Sequence, residues 1–591
     1  MRIWPCEQLG SRFLKEAVMR RSVMGILTLA AMVVVTPDIS GLRAATQAQA
    51  TSGGLLEYIP ADTPYVFTNF EPLPEPILAK LKGSSGSFWE AYRQILRTAI
   101  ETEAKKAEQK GEEADPIYGE MLDFFSEYLS WEGLESLGFG FKGHMAIYGV
   151  SLLPVIRWEL EDPSAFESAV ARFEERFESR APKGSLEGQD YWVLKGEDGG
   201  FYCALVGNSL VATFLPSELE ADLLPVVFGL KKPSPSLAES GRLHQLVREN
   251  GYLPYGAGYI DIRRSAEILL GESADEYTKL LQTLGPGEVE MSEACKKEAL
   301  QVTETWPMAH AGYTEMTTGR MGFKGVLQTS PGLARQLQGL VSQVPGIGTA
   351  DDGILSWGLS LNIAALRDFV ASHAESLRNN PYECKQLSEL SGMFNQIEKA
   401  LNEAPPPLFA LGLRGLRTVI QSLDFDFETS APRDLTGYAV VHLDNPSVAF
   451  QMIQAAAPPF ADLNLEPNGQ PVALPAGLLP PGMPEALLVM TQDALAVSVG
   501  RGNLESLQAA LGADTLQPTP LFSLGYRLSE FMHLIREQME AEAAKSNDPA
   551  QIAETQQVLS FLGIYDYLKS FIFNLSFTDE GLVITQSVEL N

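Results

Sequence analysis

Apolar positions along this chain alternate in short runs that give way to helical stripes, and one such transition occurs twice. Val155–Phe173 (VIRWELEDPSAFESAVARF) and Ala439–Ala456 (AVVHLDNPSVAFQMIQAA) each read as a strand passing directly into a helix. In the first copy Ile156, Trp158 and Leu160 alternate with Arg157, Glu159 and Glu161. That is the period-2 signature of a half-buried strand, with the apolar set expected inward and the charged set outward. A shift of 283 positions lays Ala439, Val441 and Leu443 on the apolar set, and Asn445-Pro446-Ser447 on Asp162-Pro163-Ser164. Asp and Asn offer a side-chain oxygen to the free N–H groups of a helix start, and Pro suits the first helical position.

The same alternation predicts strands at Tyr65–Phe70 and Gly188–Lys195, with hairpins about Glu197–Gly200, Gly207-Asn208 and Gln492-Asp493. Closing hairpins are expected over His310–Thr329 and Phe571–Leu590. Helical stripes are clearest at Phe88–Ile100 and Ile117–Leu129. Further landmarks recur in order. Gly140 and Gly143 are answered by Gly412 and Gly415, Gly188-Gln189 by Gly469-Gln470, Leu210 by Leu495, and Gly258-Tyr259 by Gly525-Tyr526. Five landmarks in register predict an internal duplication with drift in loop length. The expected fold class is α+β: two pseudo-repeat lobes, 51–340 and 341–591, each an antiparallel sheet with helices packed on it, built on an elaborated ferredoxin-like core. A groove between the lobes is the expected ligand position. Ala455–Pro484, with eight prolines, reads as an extended surface loop.

Residues 1–50 read as a signal peptide. Arg20-Arg21 precede the apolar run Met24–Val35, and Ala48-Gln49-Ala50 offers a small-x-small cleavage site. A region of twelve residues falls short of the roughly 20 that span a bilayer. Cleavage near Ala50 would release the chain to the periplasm or beyond; retention of the run would leave it anchored to the inner membrane. Translation from Met1 or from Met19 is compatible with either.

Composition narrows the partners. The net charge is −31 over 591 residues, and 45% of residues are hydrophobic, as in a folded globular chain. A surface so acidic repels nucleic acid, whose binding needs a basic patch. Of the four cysteines, Cys6 falls in the signal and Cys203 lies in the apolar run FYCALV. Cys295 and Cys384 lie in polar helical surroundings, and in an oxidising compartment they are either a disulfide or two free thiols.

Catalytic and cofactor patterns do not rise above this background. Gly138-x-Gly140-x-x-Gly143 matches a dinucleotide fingerprint in form, but it precedes a strand rather than opening a helix, so a structural turn is the reading. The six histidines include none spaced i, i+4 for a metal, and there is no G-x-S-x-G or Walker A sequence. No catalytic, cofactor-binding or metal residue is therefore assigned. His442 is expected on the outward side of its strand.

The opening ADTPYVFTNF after a signal peptide, the strand–Asp-Pro-Ser–helix phrase, and the hairpin followed by Ser234–Gly241 together resemble a broad class of exported proteins of Gram-negative bacteria grouped only as domains of unknown function. The resemblance implies a periplasmic setting and brings no catalytic residues. The leading functional expectation is a non-catalytic envelope protein that binds a ligand or protein partner. The alternatives are a hydrolase with scattered residues and a carrier or chaperone for apolar cargo, which would need a hollow sheet face or an exposed apolar patch.

Overall fold

The computed structural model describes residues 54–84, 126–176, 182–195, 199–273, 291–349, 353–403, 411–426, 431–475, 485–500, 502–545 and 568–591, with scattered positions between them. The signal segment, most of the stripes at Ile117–Leu129 and Phe88–Ile100 and the turn at Glu197-Asp198 lie outside the described residues.

Among the described residues nineteen strands form one sheet. They are β1 (Tyr65–Thr68), β2 (Met145–Val150), β3 (Leu153–Glu159), β4 (Lys183–Leu186), β5 (Gln189–Lys195), β6 (Gly200–Val206), β7 (Ser209–Leu215), β8 (Ala257–Asp261), β9 (Met308–Thr317) and β10 (Arg320–Gln328). They continue as β11 (Leu355–Ser360), β12 (Leu413–Asp426), β13 (Ala431–Leu443), β14 (Val472–Ala473), β15 (Ala486–Met490), β16 (Ala494–Val499), β17 (Phe522–Tyr526), β18 (Leu568–Thr578) and β19 (Gly581–Leu590). Every pairing is antiparallel, so the mixed α+β class is observed. From edge to edge the order is β4-β5-β6-β7-β3-β2-β1-β8-β9-β10-β19-β18-β17-β11-β12-β13-β16-β15-β14.

That order has a centre. β10 and β19 pair along nine residues, from Arg320 opposite Glu589 to Gln328 opposite Gly581. Each is the last strand of a closing hairpin, turning at Thr318-Gly319 and at Asp579-Glu580. A groove between two lobes was the expectation; here the two stretches of chain are joined edge to edge by a backbone ladder. Such a join leaves no edge strand free at the centre of the molecule. The outer edges are short: β4 has four residues, and β14 has two, next to Pro471. Short edges with Pro and Lys183 resist pairing with other chains.

The repeated phrase forms as a strand and helix in both places, with Pro163 and Pro446 at the helix starts. Asp162 Oδ1 accepts from the N–H groups of Ser164 and Ala165 at 3.0 and 3.3 Å, whereas the Asn445 side chain makes no capping bond. The face assignment holds in part: Trp158, Leu160 and Leu443 are buried as expected, while Glu159 and Glu161 are more open. The rest is corrected. Val155 and Arg157 in the first copy, and Tyr438, Val440 and His442 in the second, occupy the deeper face. Ile156, Ala439 and Val441 lie on the shallower one. Alternation identifies residues that share a face; it cannot rank two faces that are both covered. Arg157, only 1% exposed, donates from Nη2 to the Val227 carbonyl at 2.9 Å and lies 4.1 Å from the Tyr58 ring centre, a cation–π contact.

The deeper face carries the main core. Val66, Tyr148, Val155, Tyr202 and Tyr259 pack there against Leu219–Phe228, Leu237 and Leu243. Further along the sheet Val419, Tyr438 and Val440 pack against Leu507 and Ala510 of the helix Asn503–Leu511. Cys203 belongs to the buried interior as expected, and burial pushes its thiol up to about 12.

Candidate functional site: the shallow face of the sheet

Residues directly opposite one another on paired strands share a face, so the ladder registers trace each face across the sheet. One row on the deep face runs Val66, Tyr259, His310, Val326, Val583, Ser576, and none of these is more than 7% exposed. One residue along on the same six strands, the row is Tyr65, Ile260, Ala309, Leu327, Leu582, Phe577. These apolar residues are only half-buried, and Ile260 is 41% exposed.

The shallow face continues in the same character. A parallel row runs Phe67, Gly258, Ala311, Gly325, Ile584, Leu575, Phe522, Leu359 over eight neighbouring strands. Beside it lie Tyr313, Phe323, Phe573, Leu524 and Trp357, interrupted by the polar Gln586. Above Gly325 an added Cβ would meet nothing closer than the Phe323 ring at 3.6 Å and Ala311 at 4.0 Å. Side chains of this kind are ordinarily driven fully out of water; a contiguous half-exposed expanse is the informative exception.

Helices stand at both ends of this floor. At the β9–β10 turn, Ile77, Leu78, Trp89 and Trp131 pack on Met316, Met321 and Val588. At the opposite end, where the helix Glu293–Thr305 feeds β9, Cys295 and Cys384 are brought together as a disulfide with their Cα atoms 4.5 Å apart. Cys384 immediately precedes the helix Lys385–Glu403. The arrangement is an open trough: a hydrocarbon floor, helical walls at the strand ends, and strand backbone already satisfied by its own ladders. It can recognise a ligand by apolar contact, and among the described residues the floor strands have their backbone groups engaged in the ladders.

The residues that carry chemistry are dispersed. Gly138 takes a φ of +82°, and its carbonyl accepts from the Glu161 N–H at 2.9 Å; Gly140 makes room for the Glu161 side chain. Gly412 leaves the same room for the Asp444 side chain. The glycines thus lie in a turn before β2, with the Glu161 side chain against Gly140. His144 sits between Glu159, 2.7 Å from Nδ1, and the Phe70 carbonyl, 3.1 Å from Nε2. His310 meets the Tyr252 hydroxyl at 2.8 Å on the deep face, where burial lowers it to about 4. His442, expected outward, is 3% exposed; burial, aided by Arg414 and Arg417 against the opposing pull of Asp493, also lowers it to about 4. Among the described residues no group of three His, Cys, Asp or Glu side chains could hold a metal ion. A small open cleft lined by Glu75, Lys82, Glu135, Phe141, Lys142 and Glu161 holds two ion pairs, Lys82 with Glu135 and Lys142 with Glu75.

The trough was not assigned from sequence. Its signal was present in the alternation of β9, β10, β18 and β19, but that pattern specifies two faces and leaves open which one the helices cover. Comparison with protein-family models, with curated proteins and with solved structures gives no match. No described helix is long and apolar enough to cross a membrane.

Proposed function

We propose that this chain is a non-catalytic binding protein of the cell envelope that holds a ligand of hydrocarbon character, such as an acyl chain, against the shallow face of its sheet. The observation that carries the reading is the contrast between neighbouring rows on the same six strands. One row is buried, and the next is apolar yet partly exposed, most of all at Ile260. About 25 cal/mol is gained per Å² of apolar surface removed from water, so covering even part of such a floor supports binding without directional contacts. The dispersal of histidines and carboxylates favours binding over hydrolysis. The net charge of −31 disfavours an anionic head group, so a neutral or cationic amphiphile suits the surface best.

The exported setting rests on the amino-terminal signal pattern and fits a disulfide between Cys295 and Cys384. We also infer that the chain is a duplication. Apart from β4, the strands fall in corresponding order on either side of the β10–β19 seam, and Lys324 opposite Thr585 lies at the seam's middle. Each half contains a split βαβ: β3 and β6 flank β7, and β13 and β15 flank β16. That unit is the kernel of a ferredoxin-like core, here extended by further strands.

Native mass spectrometry of the full mature chain, purified without detergent, tests the binding reading. The expected result is a population with added masses that organic extraction removes and identifies as an amphiphile. A single apo mass that does not change on addition of an acyl-chain lipid, together with a crosslinked protein partner seated on the trough, would replace the reading with protein recognition.

A further inference from the structure

We propose that the helical hairpin formed by Ile363–Asn379 and Lys385–Glu403 is a hinged wall of the trough, latched by Cys295–Cys384 and released by thiol–disulfide exchange with a dithiol. The purpose of the latch rests on the binding reading above; its mechanics do not. The hairpin is coherent in itself. Arg378 Nη1 meets Glu398 at 2.6 Å and Asn395 at 2.9 Å, and the His373 ring stacks on Phe394 with centres 5.8 Å apart. Its packing on the rest of the molecule is thin. Among the described side chains, Val370 and Ala374 are the buried ones of the first helix, and the second helix buries none, leaving Leu390, Met393 and Ile397 exposed.

The corner between the two helices is tied down firmly. Cys384 is bonded to Cys295, and both are nearly fully buried, 2% and 4% exposed. One turn along the same partner helix from Cys295, the Glu298 carboxylate accepts from the N–H groups of Glu383 and Cys384, each at 2.9 Å. A carboxylate there satisfies free donors at the start of Lys385–Glu403 and complements that helix's dipole. Both ties come from Glu293–Thr305, the helix that feeds β9 in the trough floor. A wall that packs lightly along its length and is held at its tip is arranged as a flap.

Release is a two-electron exchange. A thiolate of the dithiol attacks one of the two sulfurs, the Cys295–Cys384 bond breaks, and a mixed disulfide forms. The second thiol of the donor resolves it, so that the donor leaves as a disulfide and Cys295 and Cys384 remain as thiols. Because both sulfurs are buried, attack follows opening of the corner, and the rate of reduction reports that opening.

Hydrogen exchange with mass spectrometry on the full chain tests the latch, comparing oxidised protein, protein treated with dithiothreitol, and the Cys295→Ser/Cys384→Ser variant. Glu298→Gln, with the disulfide intact, reports the second tie alone. Reduction and the double variant are expected to raise exchange at least tenfold in 363–403 and 293–305 while leaving β10 and β19 unchanged, with a smaller rise in Glu298→Gln. Unchanged exchange in 363–403, or a rise spread evenly over the whole sheet, would overturn the proposal. If the hairpin loosens as expected but a fluorescent acyl probe never binds, the latch stands and the trough reading fails.

Discussion

Gly138 shows how tightly single positions are specified beneath the repeated phrase. Its φ of +82° is one that L side chains rarely adopt, and a Cβ would collide with the Asp162 carbonyl oxygen. Gly138→Ala is expected to lower stability by about 3 kcal/mol, read as a shift in the denaturation midpoint at constant slope. The two buried histidines set a pH dependence. Burial holds His310 and His442 neutral until about pH 4, whereas the unfolded chain takes up those protons near pH 6.5. Their contribution is therefore complete above pH 6.5 and is lost as pH falls towards 4, by up to about 3 kcal/mol at each site. Denaturation at pH 7 and pH 4.5 should show a smaller acid loss in His310→Gln/His442→Gln than in the unmodified protein; equal losses would place the acid sensitivity elsewhere. At this scale the sequence was legible in part. The turn glycines and the Asp162 cap follow from their residue types. The burial of Arg157 does not, because a guanidinium can be accommodated by one carbonyl and an aromatic ring, and neither is adjacent in sequence.

Strands and their hairpins were the most readable elements, since the turns at Gly207-Asn208, Thr318-Gly319 and Gln492-Asp493 declare themselves between alternating runs. Strand order was not readable, because long-range pairing leaves no local mark. The β10–β19 seam is the main consequence. It sits at the centre of the sheet, paired along nine residues, whereas β4 and β14 are short outer edges. Amides of Met321–Leu327 and Leu582–Val588 are expected to exchange far more slowly than those of β4, in line with opening only through larger unfolding. Comparable rates in the seam and in β4 would mean that the two halves open independently there. By contrast, the exposed Arg378–Glu398 pair is expected to matter little on its own: Glu398→Gln should leave the global denaturation midpoint unchanged.

For the whole molecule, the organising fact among the described residues is a long antiparallel sheet with the main core packed on one face and an apolar, partly exposed floor on the other. Composition announced a folded acidic chain and argued against nucleic acid, yet it could not distinguish a carrier from any other envelope protein. The distinction lies in which face the helices cover, a property of tertiary packing that alternating strands do not encode. The most direct test is equilibrium titration of the mature chain with a fluorescent fatty-acyl probe, set beside the Ile260→Glu and Ile584→Glu variants, each checked for an unchanged thermal transition. Saturable binding that weakens at least tenfold in both folded variants is the result the trough requires; no binding, or equal binding in all three proteins, would contradict it.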